Sequence, residues 1–303
     1  MKYLAKEHHF FSFSGDNKPV LSIKSKDKVE IETMDCFSNQ ITGPGDTLES
    51  IDWDLVNPAT GPIWVEGAEP GDVLKVTIES IRIGEQGVMA TGEGLGVFGD
   101  NLTGLSTRLI PIEGSVARFD EDVEVPLNKM IGVIGVAPEG EPVNCGTPGE
   151  HGGNMDTRLI SEGASVYLPV FKEGALFGTG DVHAAMGDGE VCVTGVEIAS
   201  RLTLKFELIR GMRLRSPLVE NGGTISTIAS EPNLEEAAGR AALDMEALVL
   251  NNATIERDKL AMLFSAVGDL QISQVVDPLR TARFTVPLAY LAKYGFELDK
   301  IRT

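Results

Sequence analysis

The sequence predicts a mainly β protein with a sandwich-like or barrel-like body over residues 1–214 and a smaller α+β part over residues 215–303. Apolar and polar side chains alternate every second residue along much of the first two thirds of the chain. Turn-forming Gly, Pro and Asp residues separate these stretches, and helical spacing of apolar residues begins only after about Arg215. Strands followed by helices in this way are typical of a β fold with an appended α+β unit.

The alternating segments account for the β body. Residues 29–34, 74–79 and 202–208 each place apolar side chains at every second position. Successive side chains of a strand point to opposite faces, so this pattern predicts strands with one buried face. The segment Glu69-Pro-Gly-Asp72 provides turn chemistry between two of them. The first two thirds of the chain are therefore expected to form packed sheets.

The C-terminal part has a different periodicity. Apolar residues recur at helical spacing over residues 233–250, after a proline, and again over residues 254–266. A strand is expected over residues 270–276. A short helix is expected over residues 288–293, ending near Gly295 because glycine terminates helices readily.

Bulk composition excludes several classes of function. The 303 residues carry a formal net charge of −19, which disfavours nucleic acid and anionic membrane surfaces as partners. No apolar run approaches the ~20 residues needed to span a bilayer, and the N-terminus lacks a signal-peptide core. The three cysteines are odd in number and show no CxxC spacing, which argues against a disulfide framework. The expected location is the cytoplasm.

The densest chemical signal lies in Gly178-Thr-Gly-Asp-Val-His183 and the glycine-rich segment after it. If a strand continues through this segment, Asp181 and His183 lie on the same face. A carboxylate beside an imidazole suits a divalent metal ion or an acid/base pair. Glu190 follows a Gly-Asp-Gly turn and is a candidate general base or further ligand, whereas Asp188 within that turn fits ordinary turn chemistry.

A second glycine-rich segment, His151-Gly-Gly-Asn-Met-Asp156, offers side chains of the same kind. Asn154 could donate to the oxyanion of a tetrahedral intermediate. His151 lies beside two glycines that leave room for a ligand, although an Asx-type turn would also account for the segment.

Two isolated carboxylates complete the candidate set. Asp35 ends a predicted strand on its apolar face, where a carboxylate needs a partner such as a metal ion or an imidazole. Glu66 stands in a similar position beside a glycine and near Trp64.

Besides a metal or acid/base site, the sequence leaves two alternative functions open. Cys145 precedes His151 by six positions, and thiolate–imidazole pairs hydrolyse amides, so a metal-free thiol amidase is one alternative. The other is a non-catalytic β-sandwich module whose Asp/Gly turns hold calcium. Calcium prefers six to eight oxygen ligands, so His183 counts against that alternative.

The ordered combination of motifs resembles the acetamidase/formamidase family over nearly the whole chain. The resemblance rests on His151-Gly-Gly-Asn-Met-Asp156, Gly174-Ala-Leu-Phe177, Gly180-Asp-Val-His183, Gly187-Asp-Gly-Glu190, Leu168-Pro-Val170, residues 57–72 and residues 268–274. It implies hydrolysis of short-chain amides to carboxylate and ammonia, on a β-rich fold in a homo-oligomer. Many relatives have Gln where this chain has Met186, which would make the substrate pocket more apolar.

The resemblance and the residue patterns together predict a metal-assisted amidohydrolase. His183 and Asp181, with Asp35, are expected to hold a divalent ion, with zinc as the expected metal. Glu190 is expected to act as the general base, and Asn154 or His151 to stabilise the oxyanion. The residues expected to contact the amide substrate are Asp156, Met186 and Glu66.

Overall fold

A computed structural model describes residues 1–43, 45–298 and 301 of the chain. The first eleven strands are β1 Lys2–Leu4, β2 His9–Phe10, β3 Ser12–Phe13, β4 Leu21–Ile23, β5 Lys28–Thr33, β6 Ala59–Val65, β7 Val73–Ile83, β8 Gln86–Gly92, β9 Leu105–Glu113, β10 Val116–Arg118 and β11 Glu124–Pro126. The later strands are β12 Met130–Gly135, β13 Val143–Asn144, β14 Gly152–Asn154, β15 Ser165–Pro169, β16 Phe177–His183, β17 Ser200–Ile209, β18 Leu218–Asn221, β19 Thr224–Glu231, β20 Asp269–Gln274 and β21 Arg280–Pro287.

Helices are confined mainly to the C-terminal part. The α-helices are α1 Leu234–Asn252, α2 Arg257–Val267 and α3 Leu288–Leu291; 3-10 turns span Trp53–Leu55, Gly99–Asn101 and Ala292–Tyr294. Asn233 caps α1 by accepting from the backbone N–H of Glu236 at 3.0 Å, which satisfies one of the free donors of the first turn. Gly295 follows the last 3-10 turn with φ 82°, the left-handed conformation that glycine adopts without strain.

Two large sheets form the body. In the described part of the chain, one has nine strands in the order β1-β5-β17-β7-β15-β18-β19-β21-β20. The other has the order β14-β12-β16-β6-β2, with β4 also paired to β6. Apolar side chains of β7, β17, β12 and β16 belong to one buried cluster, so the two sheets pack face to face. The expected mainly β, sandwich-like fold is confirmed.

The C-terminal part continues the larger sheet. Strand β18 pairs with β15 of the body, so hydrogen bonding crosses the predicted boundary at residues 214/215 without a break. Helix α1 covers β19 and β21 with a face that buries Ala241, Met245 and Val249. The expected helices and strand of this part are present, while residues 299, 300, 302 and 303 of the predicted 215–303 unit lie outside the described residues. The division at residue 214 stays a prediction.

A four-stranded antiparallel sheet of β8, β9, β10 and β11 extends from the body over residues 86–126. Its first strand is linked to residue 197 by backbone hydrogen bonds between Val88 and Glu197, at 2.8 and 2.9 Å. This hairpin unit therefore lies beside the loop that follows β16. Among the described residues, no helix has the length and apolarity required to cross a membrane.

Candidate active site

Strand β16 places Asp181 and His183 on one face, as the alternation predicts. Val182 between them points into the main apolar cluster, while the two polar side chains are buried on the opposite side. Asp181 Oδ1 lies 3.5 Å from His183 Nε2. The pairing of β16 with β12 puts Gly132 opposite Asp181, between the pairs Val133–Gly180 and Ile131–Val182.

Two glycines make room for these side chains. A Cβ on Gly132 would lie 2.4 Å from Asp156 Oδ1 and 2.5 Å from Asp181 Oδ2. A Cβ on Gly195 would lie 2.6 Å from His183 Nδ1. Contacts this short are not sterically possible, so only glycine at both positions allows the carboxylates and the imidazole to occupy their places.

Four carboxylates surround the His183 ring nitrogen. From Nε2, the distances are 3.1 Å to Glu197 Oε2, 3.5 Å to Asp181 Oδ1, and 3.9 Å to both Asp156 Oδ1 and Glu190 Oε1. All five side chains are buried. We call this group, Asp156, Asp181, His183, Glu190 and Glu197, the carboxylate–histidine cluster.

Further acidic and thiol groups adjoin the cluster. The Cys36 sulfur and carboxylate oxygens of Asp181 and Glu197 lie within 4.8 Å of one another. The neighbouring Asp35 is buried, and its Oδ1 accepts the backbone N–H groups of Phe37 and Asn39 at 3.0 and 2.7 Å. One oxygen of Asp35 is therefore already held by the loop that follows β5.

Asp277 and Asn154 also adjoin the carboxylate–histidine cluster, next to Asp156. Asn154 Nδ2 donates to Asp277 Oδ2 at 3.1 Å. Asn154 Oδ1 is buried and has no hydrogen-bond partner. Asn154 Oδ1 therefore remains available as an acceptor, and Nδ2 keeps a second N–H beside the one given to Asp277.

Three cluster residues adopt left-handed backbone conformations. The φ angles are 40° for Asp156, 52° for Asp181 and 47° for Glu190. Such conformations are uncommon in residues other than glycine and cost about 1–3 kcal/mol where they are strained. Their coincidence in one cluster indicates that the fold orients these carboxylates at the expense of backbone preference.

Burial and mutual repulsion shift the acidity of the cluster. Burial, and then the charge of Asp181, raises the pKa of Asp156 to about 6 and that of Glu197 to about 8. Burial and the charge of Asp156 raise the pKa of Glu190 well above its usual value. Burial alone would lower the pKa of His183, but the charges of Glu197 and Asp181 outweigh it and raise that pKa.

The outer carboxylates respond in the same direction. Burial raises the pKa of Asp35 to about 6, against the two backbone hydrogen bonds that lower it. Burial and the charge of Asp156 raise the pKa of Asp277 well above its ordinary range. Six carboxylates thus lie in and around the cluster with the imidazole of His183 among them, and a divalent cation is the species that would let them ionise together.

Unpartnered polar atoms show that the residues fit a metal ion. Both oxygens of Asp156, both ring nitrogens of His183 and Oε2 of Glu197 are buried and make no hydrogen bond of normal geometry, although His183 Nε2 lies 3.1 Å from Glu197 Oε2. Buried polar atoms normally have partners, and leaving one without costs about 1–3 kcal/mol. Asp156, His183 and Glu190 each offer one ligand atom within 4.8 Å of the others, so this part of the chain can hold a metal ion.

The loop after β16 is fixed to the C-terminal strands. Gly189 donates to Ser273 O at 2.8 Å and accepts from Val275 N at 3.1 Å. Asp188 accepts from Arg158 at 2.9 and 3.0 Å and from the buried Arg283 at 2.7 Å. Burial would raise the pKa of Asp188, but these bonds lower it. The expectation that Asp188 is an ordinary turn residue is incomplete, because it also connects two parts of the fold beside Glu190.

A cavity of about 620 Å³ adjoins the cluster. It lies between the β8–β11 hairpin unit and residues 185–196. Glu190 and Gly195 are part of its wall, as is Met186, so one face of the carboxylate–histidine cluster borders the cavity.

The structure does not bring every predicted residue to the cluster. Glu66 is exposed and accepts from Ser22 at 3.2 Å. Glu66 directly follows the C-terminal end of β6, whereas Ala59, which pairs with Gly180 next to the cluster, begins that strand. At ~3.3 Å per residue, the two ends of β6 are about 20 Å apart. The sequence placed Glu66 in the site because its local pattern resembled that of Asp35, but the pattern does not specify the end of the strand.

His151 and Cys145 are buried next to aromatic side chains. The His151 ring packs edge-on against Phe13 at 5.2 Å, and burial lowers its pKa to about 4. The Cys145 thiol donates to Phe10 O at 3.6 Å, and burial raises its pKa far above the usual range. A buried thiol with a raised pKa is a poor nucleophile, and its hydrogen-bond partner is a carbonyl instead of the imidazole.

Sequence patterns missed Glu197, Cys36 and Asp277. Glu197 stands between Val196 and Ile198 in an apolar stretch, where a lone carboxylate is itself a signal of a buried polar site. No comparable local signal marks Cys36 or Asp277.

Comparison with known proteins connects this geometry to one group of enzymes. A model of the acetamidase/formamidase family matches residues 5–145 and 141–238. The crystal structure of a recombinant predicted acetamidase/formamidase from Thermoanaerobacter tengcongensis has a TM-score of 0.97 and 53% sequence identity, covering 98% of this chain and 99% of that one. For an acetamidase from Bacillus halodurans the TM-score is 0.95 and the identity 46%, covering 97% and 99%.

More distant relatives are longer than the matched region. The formamidase of Methylophilus methylotrophus is 26% identical in an alignment of 251 residues that covers 63% of this chain and 61% of that protein. The chain spans 61 to 64% of the length of the curated relatives it matches.

Proposed function

The chain belongs to the acetamidase/formamidase family, and we propose that it hydrolyses short-chain amides to a carboxylate and ammonia. The carboxylate–histidine cluster carries this proposal. It combines a buried imidazole, four buried carboxylates and unpartnered ligand atoms with an adjoining cavity. Metal-assisted hydrolysis requires metal ligands, a general base and a binding site for the substrate in one place.

His183, Asp181, Asp156 and Glu197 are the proposed ligands of a divalent ion, and Cys36 lies near enough to contribute a thiolate. Imidazole and thiolate favour zinc over calcium or magnesium, so zinc is the proposed metal. When bound, such an ion polarises an amide carbonyl and lowers the pKa of water to about 7. Asp35 stays a proposed ligand: its Oδ1 is held by two backbone N–H groups, and its other carboxylate oxygen is the proposed donor to the ion.

Glu190 is the proposed general base. It is the carboxylate of the cluster that also borders the cavity, so it can reach both the ligand atoms and a bound substrate. Burial and the charge of Asp156 raise its pKa, which makes its carboxylate a stronger base than an exposed one. Glu190 would take the proton of the attacking water and return it to the leaving nitrogen, which departs as ammonia.

Asn154 is proposed to orient the amide. Its Nδ2 is engaged by Asp277, and the free Oδ1 can accept an N–H of the substrate amide. The second N–H of Nδ2 is not used by Asp277, so the predicted role of Asn154 as an oxyanion donor is kept as a further proposal. Met186 in the cavity wall is proposed to contact the acyl group.

We also propose that the protein acts in the cytoplasm as a homo-oligomer. The three free cysteines are in keeping with a reducing compartment. Exposed apolar residues of the hairpin unit and its flanks, including Val97, Phe98 and Val123, are candidates for a subunit interface. Light scattering of the purified protein measures the assembly directly.

Ammonia release from formamide and acetamide by the purified protein tests the proposed activity. Turnover by the wild type and its loss in His183→Asn would support hydrolysis at this cluster. Equal turnover by His183→Asn would show that the reaction takes place outside this cluster. Absence of ammonia release from every member of a panel of primary amides would overturn the proposed amide hydrolysis.

A further inference from the structure

The cavity beside Glu190 is much larger than formamide or acetamide require. Its volume is about 620 Å³, within the range of roughly 300–1,000 Å³ that holds drug-sized ligands. The wall contains many apolar side chains from the hairpin unit and from the loop after β16: Met89, Ile110, Ala117, Phe119, Val125, Leu127, Ala185, Met186, Val191 and Val196. A cavity of this size is expected to hold more of a substrate than an amide group.

The polar side chains in the wall are already satisfied by the protein. The amide of Asn128 exchanges two hydrogen bonds with the backbone of Met186, both at 2.9 Å. Thr194 Oγ1 donates to Ala90 O at 3.0 Å and accepts from Ala90 N at 3.0 Å. A ligand in the cavity would gain little from competing for these groups.

The charged groups of the wall are paired as well. Arg158 forms a bidentate pair with Asp188, which also accepts a hydrogen bond from the buried Arg283. Cys192 Sγ donates to Thr194 O at 3.5 Å. Among the described side chains that line the cavity, Glu190 is therefore the reactive polar group, and the surface beyond it offers mainly apolar contact.

From this arrangement we propose that the cavity binds an apolar acyl group, and that the substrates are primary amides whose acyl chain or ring is several carbons larger than acetyl. The proposal rests on the proposed amide hydrolysis and specifies its substrate class. The amide group would lie against Glu190, and the acyl group would extend along Met186 and Val191 toward Phe119. Because these contacts are made by an apolar group, each added methylene strengthens binding by the free energy of its burial.

A series of acetamide, butanamide and hexanamide, measured with the protein as purified, tests the proposal. We expect kcat/KM to rise about fourfold per buried methylene, and therefore more than about tenfold from acetamide to butanamide. Adipamic acid, which has the carbon chain of hexanamide but ends in a carboxylate, should be a poor substrate, because its charge would leave water for a mainly apolar wall whose guanidinium, that of Arg158, is already held by Asp188. Preference for formamide or acetamide over hexanamide would overturn the proposal while leaving amide hydrolysis intact.

Two variants with a matched control locate the preference in the cavity. Val191→Trp fills the cavity from a half-exposed position, and we expect it to lower the ratio of kcat/KM for hexanamide to that for acetamide at least about fivefold. Phe119→Ala removes part of the wall and should lower the same ratio about threefold. Val20→Trp makes the same change at a position of similar exposure, 43% against 41%, outside this cavity, and should leave the ratio unchanged.

Calorimetric titration with hexanamide separates failure of this proposal from failure of the proposed function. Saturable binding that Val191→Trp weakens, without ammonia release, would support the apolar site and overturn the hydrolysis. Hydrolysis with a ratio that neither cavity variant changes would overturn the apolar site alone. No binding and no hydrolysis would overturn both.

Discussion

Arg283 Nη2 donates to Asp188 Oδ2 at 2.7 Å and so joins a fully buried guanidinium of β21 to the loop that carries Glu190. The rest of the guanidinium is held by Gln271, Ile272 O and Ser273 at 3.0 to 3.1 Å. The C-terminal strands therefore fix the position of the loop two residues before the proposed base. The predicted α+β part thereby contributes to the site although it supplies no member of the carboxylate–histidine cluster.

Replacing this guanidinium should disturb catalysis through position. We expect Arg283→Met to lower kcat at least tenfold while metal content is retained, because Glu190 loses the support of its loop. Breaking a buried ion pair costs about 3–5 kcal/mol, and retention of Arg158 as a partner of Asp188 should keep the loss of unfolding free energy near the lower end of that range. Urea unfolding and metal analysis measure both quantities. Unchanged kcat in a destabilised variant would assign Arg283 a purely structural role.

Removing the proposed base should abolish turnover without removing the metal. Glu190→Gln keeps the shape of the side chain but cannot accept the proton, so kcat should fall by about 10²–10⁴. Glu66→Gln is the matched control, because Glu66 is exposed and makes its hydrogen bond with Ser22 away from the cluster. Ammonia release and metal content are measured for both variants. Full activity of Glu190→Gln would exclude this residue as the base.

The buried thiol should be dispensable. Cys145→Ser preserves a donor for Phe10 O, and we expect activity within a few-fold of the wild type. Thiol alkylation of a Cys192→Ser variant, which lacks the partly exposed thiol of the cavity wall, should also leave ammonia release intact, since burial raises the pKa of Cys145 and its side chain is inaccessible. Inactivation of both samples would instead favour the thiol amidase.

The stability of the metal-free protein should fall as pH rises from about 5 to about 8. The pKa of Asp156 is raised from 3.8 to about 6 and that of Glu197 from 4.5 to about 8, so the folded state holds protons that the unfolded state has already released. Where the folded state binds more protons, stability decreases with rising pH. The raised pKa of His183 acts in the same direction. We expect Tm of the chelated protein to fall by several degrees across this range.

Metal should remove this dependence. Ions compete with protons for carboxylates, so metal binding should strengthen with pH and release protons on mixing. Thermal unfolding with and without added zinc, at matched pH, measures the effect. A chelated protein whose Tm rises steadily between pH 5 and pH 8 would contradict the assigned protonation.

Local periodicity predicted the parts of the site that lie within one strand. Alternation along β16 placed Asp181 and His183 on one face, and the structure brings their side chains within 3.5 Å. The helical spacing after residue 233 likewise predicted α1, whose buried face follows that period. Both features depend on backbone geometry that a short segment determines by itself.

Convergence between strands could not be predicted in this way. Strand β5 pairs with β17 in a register that puts Thr33 opposite Ser200, and continuing that register brings Cys36 and Glu197 to the same end. One sequence does not specify which strands pair or in what register. Asp277 reaches the site through the β20–β21 connection, and Glu66 lies at the wrong end of β6 for the same reason.

Chelation and reconstitution test the central claim most directly. The purified protein would be stripped of metal, then titrated with zinc while bound zinc and ammonia release from a primary amide are measured on the same samples. The proposed mechanism predicts that activity is lost on chelation, returns in proportion to zinc bound at the cluster, and does not return in His183→Asn. Full amide hydrolysis by the metal-free protein would contradict it.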